Sequence, residues 1–433
     1  MLPDTELELN ALPEVENILA HGEPTRTQGW NFACRICQGD TFCVIDLGNH
    51  PFANALLAAP TAQITRYPLA LHVCRECGTA QLSYCADDHE LYSDYIYITP
   101  RSVSLSEHYG QIVEFLAREG YLSSQAHVAE IGSNIGRFLE YLAPHVASVL
   151  GIDPAVNIAE MANAAGIRTV NEFFNAETGR MICEQEGRKD LIVARHCFAH
   201  NEKPWLMLEG VVELLQPDGV LVIENAYFLD TVNRGEFDQI YHEHMYYHSL
   251  RSISAIVARY GLRLVDVYHS TIHGGTMAYV IKFANRDAAM SDRVYHYLGL
   301  EKEMHQPAFY EDFKVRIETN REELRDLLQQ LLANGKTIHA YGASAKSTTL
   351  LNYYNITAAM VPYVVDSTVT KHGKYIPLAN LQVIPEEEGA LNPPDYYLLT
   401  VWNYKDEIIR KVRLLGNEHS QFILPHPHIE IVE

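Results

Sequence analysis

Residues 237 to 250 read FDQIYHEHMYYHSL and put three histidines, three tyrosines and two acids into fourteen positions. Side chains of these types serve metal ligation, proton transfer or aromatic packing. Metal is poorly served, because no HExxH spacing on a helix is present and His242 and His244 alternate as strand residues do. Proton transfer is better served, since a neutral imidazole with a pKa of about 6.5 can take up a proton at neutral pH. An aromatic-rich turn would satisfy packing equally well, so the segment alone leaves both open.

A second chemistry resides in the cysteines. Cys34-Arg-Ile-Cys37 and Cys74-Arg-Glu-Cys77 are two CxxC pairs separated by a stretch with strand and turn character. Two such pairs bring four thiolates within reach of one tetrahedral Zn²⁺, and a closed four-sulfur site is structural because no position stays open to substrate. Residues 31 to 100 are expected to form a small zinc-binding domain behind an extension over residues 1 to 30, the metal substituting for a core too small to fold alone. Cys43, Cys85, Cys183 and Cys197 have no such spacing and are expected in the core.

The elements that must position these residues show in the pattern further along. HVAEIGSNIGRFLEYL reads as a short apolar strand, a glycine loop and an amphipathic helix, and SVLGID, DLIVARH and GVLVIEN supply further strands between helical stretches. This is the alternation of a doubly wound α/β sheet. The loop is GxxxG, so a GxGxxG dinucleotide dehydrogenase is a poor fit. Asp153 ends the next strand, where an acid can accept hydrogen bonds from both hydroxyls of a ribose. Glu130, Gly132, Gly136 and Asp153, with Ser133 and Asn134 inside the loop, fit the S-adenosylmethionine pattern of class I methyltransferases. LRLVDVYHS and TMAYVIKF, joined by TIHGG, read as the hairpin that closes such a sheet.

The last third repeats this logic on a smaller scale. After a long helical stretch, roughly 306 to 332, KTIHAYGASAKSTTLLNYYN gives strand, glycine turn and helix, and VPYVVD, DYYLLTVW and QFILPHP complete a second α/β sheet. Lys346-Ser347 is not a P-loop, because Ala345 stands where that motif needs glycine. A helix amino terminus still offers free N–H groups to a pyrophosphate. Lys346, Ser347, Lys371 and Lys374 are the candidates to hold one.

Composition bounds the partners. With 433 residues the chain has room for about three domains. Its 55 acidic against 33 basic residues oppose nonspecific attraction to nucleic acid or to anionic lipid, so a phosphate must meet a local basic pocket. No apolar run approaches the roughly 18 residues of a membrane span. The acidic start MLPDTELELN lacks a signal-peptide pattern, so a cytoplasmic location is expected.

In order along the chain, the paired CxxC, PFANALL, SDYIYITPRSVS, EIGSNIG, FAHNEKP, YHEHMYYHS, IHGGT, YGASAKSTTLLNYYNI, VVDSTVTKHGKYIP and YYLLTVWNY resemble the nucleotide-sugar C-methyltransferases. The resemblance implies an α/β fold class: a class I methyltransferase doubly wound sheet over 101 to 285, the small N-terminal zinc-binding domain, and a C-terminal Rossmann-like substrate-binding domain over 286 to 433. It implies a 4-keto nucleotide sugar as substrate, with methylation at C3 through an enolate. It assigns the base to His244 and makes Tyr241, Glu243 and His200 its companions, with Tyr95 or Tyr97 closing over the site. Arg195-His196 departs from the Asn-Asn that relatives often carry. Two rivals remain: a non-sugar keto substrate, and a zinc-containing RNA methyltransferase, which the acidic balance disfavours.

Overall fold

The computed structural model describes residues 32–61, 63–86, 98–99, 102–284 and 289–433. Its first sheet is an antiparallel meander of β1 (Thr41–His50), β2 (Tyr67–Cys74) and β3 (Ala80–Leu82). Leu69, Leu71 and Val73 of β2 are buried at 1% exposure or less, and the intervening Ala70, His72 and Cys74 are buried as well, so this strand is covered on both faces. Both CxxC pairs sit on matching turns. Gln38 N–H donates to Cys34 O at 2.8 Å, and Gly78 N–H donates to Cys74 O at 3.1 Å. Gln38 and Gly78 both take positive φ, which is how each chain leaves its knuckle.

The second sheet contains β4 (His127–Ile131), β5 (Ser148–Ile152), β6 (Thr169–Val170), β7 (Lys189–Arg195) and β8 (Leu215–Ala226). The two-residue β9 (Tyr246–Tyr247) follows in sequence, and then β10 (Leu262–Ser270) and β11 (Thr276–Phe283). The order is β10-β11-β8-β7-β4-β5-β6, with β11 antiparallel to both neighbours and the others parallel. This is the class I methyltransferase order, closed by the hairpin read from the sequence. Central strands such as β7, buried on both faces, form continuous apolar runs because helices cover each side. Helix α1 (Val103–Arg118) starts at Ser102, whose side chain caps Leu105 N–H, and buries a stripe that includes Leu105, Tyr109, Ile112 and Leu116. Helix α2 (Arg137–Leu142) leaves the glycine loop.

β9 belongs to the first sheet, where it pairs antiparallel with β3 through Ala80–Tyr247 and Gln81–Tyr246. The histidine-rich segment therefore connects the α/β sheet to the zinc-stapled unit.

Helix α3 (Glu311–Ala333), which a 3-10 turn over Pro307–Tyr310 precedes, leads into the third sheet. Its strands are β12 (Ile338–Tyr341), β13 (Tyr363–Val365), β14 (Gln382–Ile384), β15 (Tyr396–Leu399), β16 (Gln421–Leu424) and β17 (Glu430–Val432), in the order β14-β13-β12-β15-β16-β17. All pairs are parallel except β16 with β17. Helix α4 (Ala345–Tyr353) follows β12. One apolar cluster runs from Leu71 and Val73 through Phe228 and Tyr310 to Leu350, so the three sheets share a core. Among the described residues, no helix is long and apolar enough to cross a membrane.

Candidate active site

A cavity of about 470 Å³ lies where the carboxyl ends of the second sheet face the third, with Asn54 of the first unit on its wall. The glycine loop forms one side. Gly132, Asn134 and Gly136 have φ of 65°, 49° and 78°, so the chain turns back in the left-handed region three times within five residues. A Cβ on Gly132 would stand 2.7 Å from Cys197 Cβ, which ties the loop closely to the end of β7. Asp153 follows β5, and its two oxygens accept N–H bonds from Asn134 at 2.9 Å and Ala155 at 3.0 Å. Burial pushes this carboxyl above its ordinary range while the two N–H donors pull it down. Asn134 Oδ1 accepts Thr99 N–H at 3.0 Å. Glu130, Gly132, Ser133, Asn134 and Asp153 all line the cavity, whereas Gly136 does not. Gly136 caps α2, where a Cβ would meet Ile167.

The opposite side carries the imidazoles. His244 Nδ1 lies 2.9 Å from Gln239 O, an acceptor, so that nitrogen carries the hydrogen. Nε2 therefore presents its lone pair and accepts from Tyr241 Oη at 2.7 Å. Desolvation holds His244 well below the usual imidazole range, with the nearby His200 ring and Lys346 acting in the same direction. His200 is lowered to about 4 by burial. Glu243 is pushed up to about 7 by burial against a hydrogen bond from Asn54 Nδ2, at 2.5 Å, that pulls it down. Tyr241, Glu243, His244 and His200 are thus brought to one wall.

The strand-like alternation expected of His242 and His244 is not observed. Residues 237–239 form a 3-10 turn, His244 N–H closes a second turn onto Tyr241 O at 2.9 Å, and strand pairing begins only at Tyr246. His242 consequently faces away, with its ring edge-on to Phe52, Tyr67 and Tyr84.

Arg195 and His196, the departure noted in the sequence, fall at the cofactor end. The Arg195 guanidinium is 2.6 Å from Glu224 and 3.8 Å from Glu130, and lies over the rings of Tyr109 and Phe138. His108 bonds the other Glu224 oxygen. Glu130 rises to about 8 through burial, and its Oε2 is buried without a partner among the described residues.

At the substrate end, Lys346 and Lys371 line the cavity, but Ser347 and Lys374 do not. Ser347 is fully buried, and its hydroxyl donates to Gly342 O at 2.5 Å inside a capping box with Ser344, so Ser344 and Ala345 form the wall instead. Lys374 is strapped by backbone bonds to Lys371 and Val383. Lys371 Nζ donates to Ala343 O at 2.9 Å and stands 3.7 Å from Asp366. Sequence reasoning missed Asn54, Ser344, His273 and Tyr404 on the wall; Tyr404 Oη and His273 Nδ1 lie 3.1 Å apart. Tyr95 and Tyr97 lie outside the described residues.

Comparison with known proteins gives the family of the chain. Residues 34–92 match a zinc binding domain, 104–267 a methyltransferase domain and 271–427 a C-methyltransferase C-terminal domain. The C-methyltransferase NovU of Streptomyces niveus is 33% identical over 404 residues, 92% of this chain and 96% of that protein. The chain belongs to this C-methyltransferase family. A ubiquinone biosynthesis O-methyltransferase of Coxiella burnetii is 28% identical over 109 residues, 25% of this chain and 44% of its own. Among solved structures, magnesium protoporphyrin IX methyltransferase from Synechocystis PCC 6803 covers 42% of this chain and 80% of its own at 14% identity and a TM-score of 0.31. The N-methyltransferase NodS from Bradyrhizobium japonicum covers 42% and 97% at 17% identity and the same TM-score.

Within this family member the four cysteines of the CxxC pairs converge, with their sulfurs all within 4.8 Å of one another. Cys34 and Cys77 sulfurs are 3.6 Å apart and Cys37 and Cys74 sulfurs 3.4 Å, close to the roughly 3.7 Å edge that four Zn–S bonds of about 2.3 Å give a tetrahedron. Gly39 N–H and Glu76 N–H each reach a cysteine sulfur at 3.4 Å, a second shell that favours thiolate. The donor set fits zinc, and none of the four lines the cavity. Of the other cysteines, Cys43 is exposed on β1, contrary to the expected core position, because it falls on the outward face of the strand.

Proposed function

We propose that this C-methyltransferase takes its methyl group from S-adenosylmethionine and places it on the carbon beside the ketone of a 4-keto nucleotide sugar, through an enolate formed by His244. The observation that carries the reading is the fixed, neutral state of His244, whose acceptor nitrogen sits in the same cavity as the glycine loop and Asp153.

The cavity's cofactor end suits the donor. The glycine loop offers N–H donors, and the Asp153 carboxylate at the ribose position and the buried oxygen of Glu130 offer acceptors for hydroxyls and an ammonium. Bound there, S-adenosylmethionine supplies an electrophilic sulfonium methyl. The chain's own residues do the rest. His244 Nε2 takes the proton from C3 once Tyr241 Oη turns from it to the substrate, and Tyr241, His200 and Glu243 surround the developing enolate oxygen, where preorganised donors stabilise charge. Removing water from this buried site strengthens each contact. Cys34, Cys37, Cys74 and Cys77 would hold a zinc that staples the first unit, and with all four positions taken by sulfur it would offer no site to substrate.

At the substrate end, Lys346 and Lys371 offer cations to a pyrophosphate. The pairing of Lys371 with Asp366, and the distance of Ser347 and Lys374 from the wall, favour a second reading in which a smaller, non-sugar keto substrate is methylated. Incubation with S-adenosylmethionine and a panel of 4-keto nucleotide sugars and simple keto acids, read by mass spectrometry, decides between them. A gain of one methyl group on a sugar nucleotide supports the first reading, and methylation of keto acids alone supports the second.

A further inference from the structure

We infer that Asn54, carried on the zinc-stapled unit, is a positioning residue for the carboxyl group of Glu243 in the methyl-transfer site. Asn54 lies in the PFANALL loop between β1 and β2, and its Nδ2 donates to Glu243 Oε1 at 2.5 Å across 189 positions of sequence. Both residues line the cavity.

The loop is built to hold that amide in place. Thr348 Oγ1 of α4 donates to Ala53 O at 2.8 Å, and Leu57 and Tyr375 exchange both backbone hydrogen bonds, at 2.9 and 2.8 Å. Thr61 N–H reaches Asn380 Oδ1 at 3.0 Å. The loop's far root is β2, which ends in the zinc knuckle at Cys74. On the other side, β3 pairs with β9, three residues beyond Glu243. The first unit thus grips the YHEH turn by a strand, by the aromatic rings around His242 and by a side chain that enters the cavity. A loop serving only to staple the core would need no amide there.

The chemical consequence follows from the donor's direction. An N–H to a carboxylate oxygen favours the ionised form and fixes its rotamer. Opposing it is burial, and the ionisable neighbours on the same turn are kept neutral: His242 at about 4 and His244 well below its usual range. Asn54 therefore works against burial, the larger influence, in drawing Glu243 toward its ionised form.

The assignment rests on the proposed function only for its catalytic meaning, and its test reads Glu243 without substrate. In protein labelled with ¹³C at the glutamate carboxyls, the Glu243 resonance is identified by its loss in Glu243→Gln and titrated in Asn54→Leu and in the near-isosteric Asn54→Asp. Removal of the donor should raise the midpoint by about 1 to 2 pH units, the equivalent of one hydrogen bond to a charged group. Asn54→Asp should raise it at least as far, by adding a like charge. The pH limb of turnover should be displaced the same way in Asn54→Leu, and Asn54→Leu should change turnover no further when added to Glu243→Gln. A midpoint that stays at the parent value in whichever variant retains the parent's circular dichroism and zinc content overturns the inference. If instead the midpoint moves but no keto substrate is methylated, the positioning role stands and the proposed function fails.

Discussion

Replacing Asp153 with alanine removes two kinds of contact at once, and the structure allows each to be sized. The carboxylate accepts backbone N–H groups from Asn134 and Ala155, residues only 8% and 4% exposed. Truncation leaves both donors without their protein acceptor at the cavity wall, at about 1 to 3 kcal/mol apiece, so a loss of about 2 to 6 kcal/mol in stability is expected. For a unit of this size each kcal/mol lowers the melting temperature by about 2 to 4 °C, which puts the fall at about 4 °C or more. Donor binding should weaken independently by about 1.5 to 3 kcal/mol, a factor of roughly 12 to 150, through the lost bonds to a ribose. Asp153→Asn keeps one acceptor oxygen and should lie between parent and Asp153→Ala in both measures. Calorimetric titration with S-adenosylmethionine and scanning calorimetry of the free protein read the two effects separately. A parent-like melting temperature would refute the loop argument, and parent-like affinity would remove Asp153 from the cofactor site.

Other perturbations should act through equally specific contacts. Protein purified without chelators should carry one zinc per chain, and Cys37→Ser or chelation should loosen the first unit, seen as faster amide exchange over residues 32–86, while S-adenosylmethionine still binds; absence of zinc by elemental analysis contradicts this. Arg195→Asn leaves Glu224 and Glu130 buried beside each other without their cation and should cost about 3 to 5 kcal/mol in urea unfolding, whereas a change within error would show that the pair is dispensable. His50, His242 and His248 are lowered by burial to about 4, 4 and 3. The unfolded chain protonates them first, so their stability contribution is full above about pH 6.5 and is lost as pH falls toward 4. Urea midpoints that stay level across that window would contradict the assignment.

Much of the frame could be read from local pattern. The glycine loop, the strand-end position of Asp153 and the closing hairpin are set by neighbours in sequence, and the paired CxxC spacing carried the convergence of four sulfurs. What escaped depends on partners far apart in the chain. Asn54 meets Glu243 across 189 positions of sequence, and Arg195 finds its carboxylates at positions 130 and 224. The alternation of His242 and His244 misled because a hydrogen-bonded turn overrode strand periodicity before pairing began at Tyr246. Ser347 misled for a different reason: a hydroxyl at the third position of a helix closes a capping box as readily as it meets a ligand.

The claim on which the account turns is that His244 removes a carbon-bound proton. Replacing it with asparagine should lower turnover by about 10²-fold or more, while both ligands bind and the protein melts as before. The most direct measurement omits methyl transfer. In deuterated water, with S-adenosylhomocysteine in the cofactor site, the parent should wash the C3 proton out of a 4-keto nucleotide sugar, and His244→Asn should do so no faster than the enzyme-free background. Equal exchange by parent and variant, above that background, would take the base role from His244 and contradict the account.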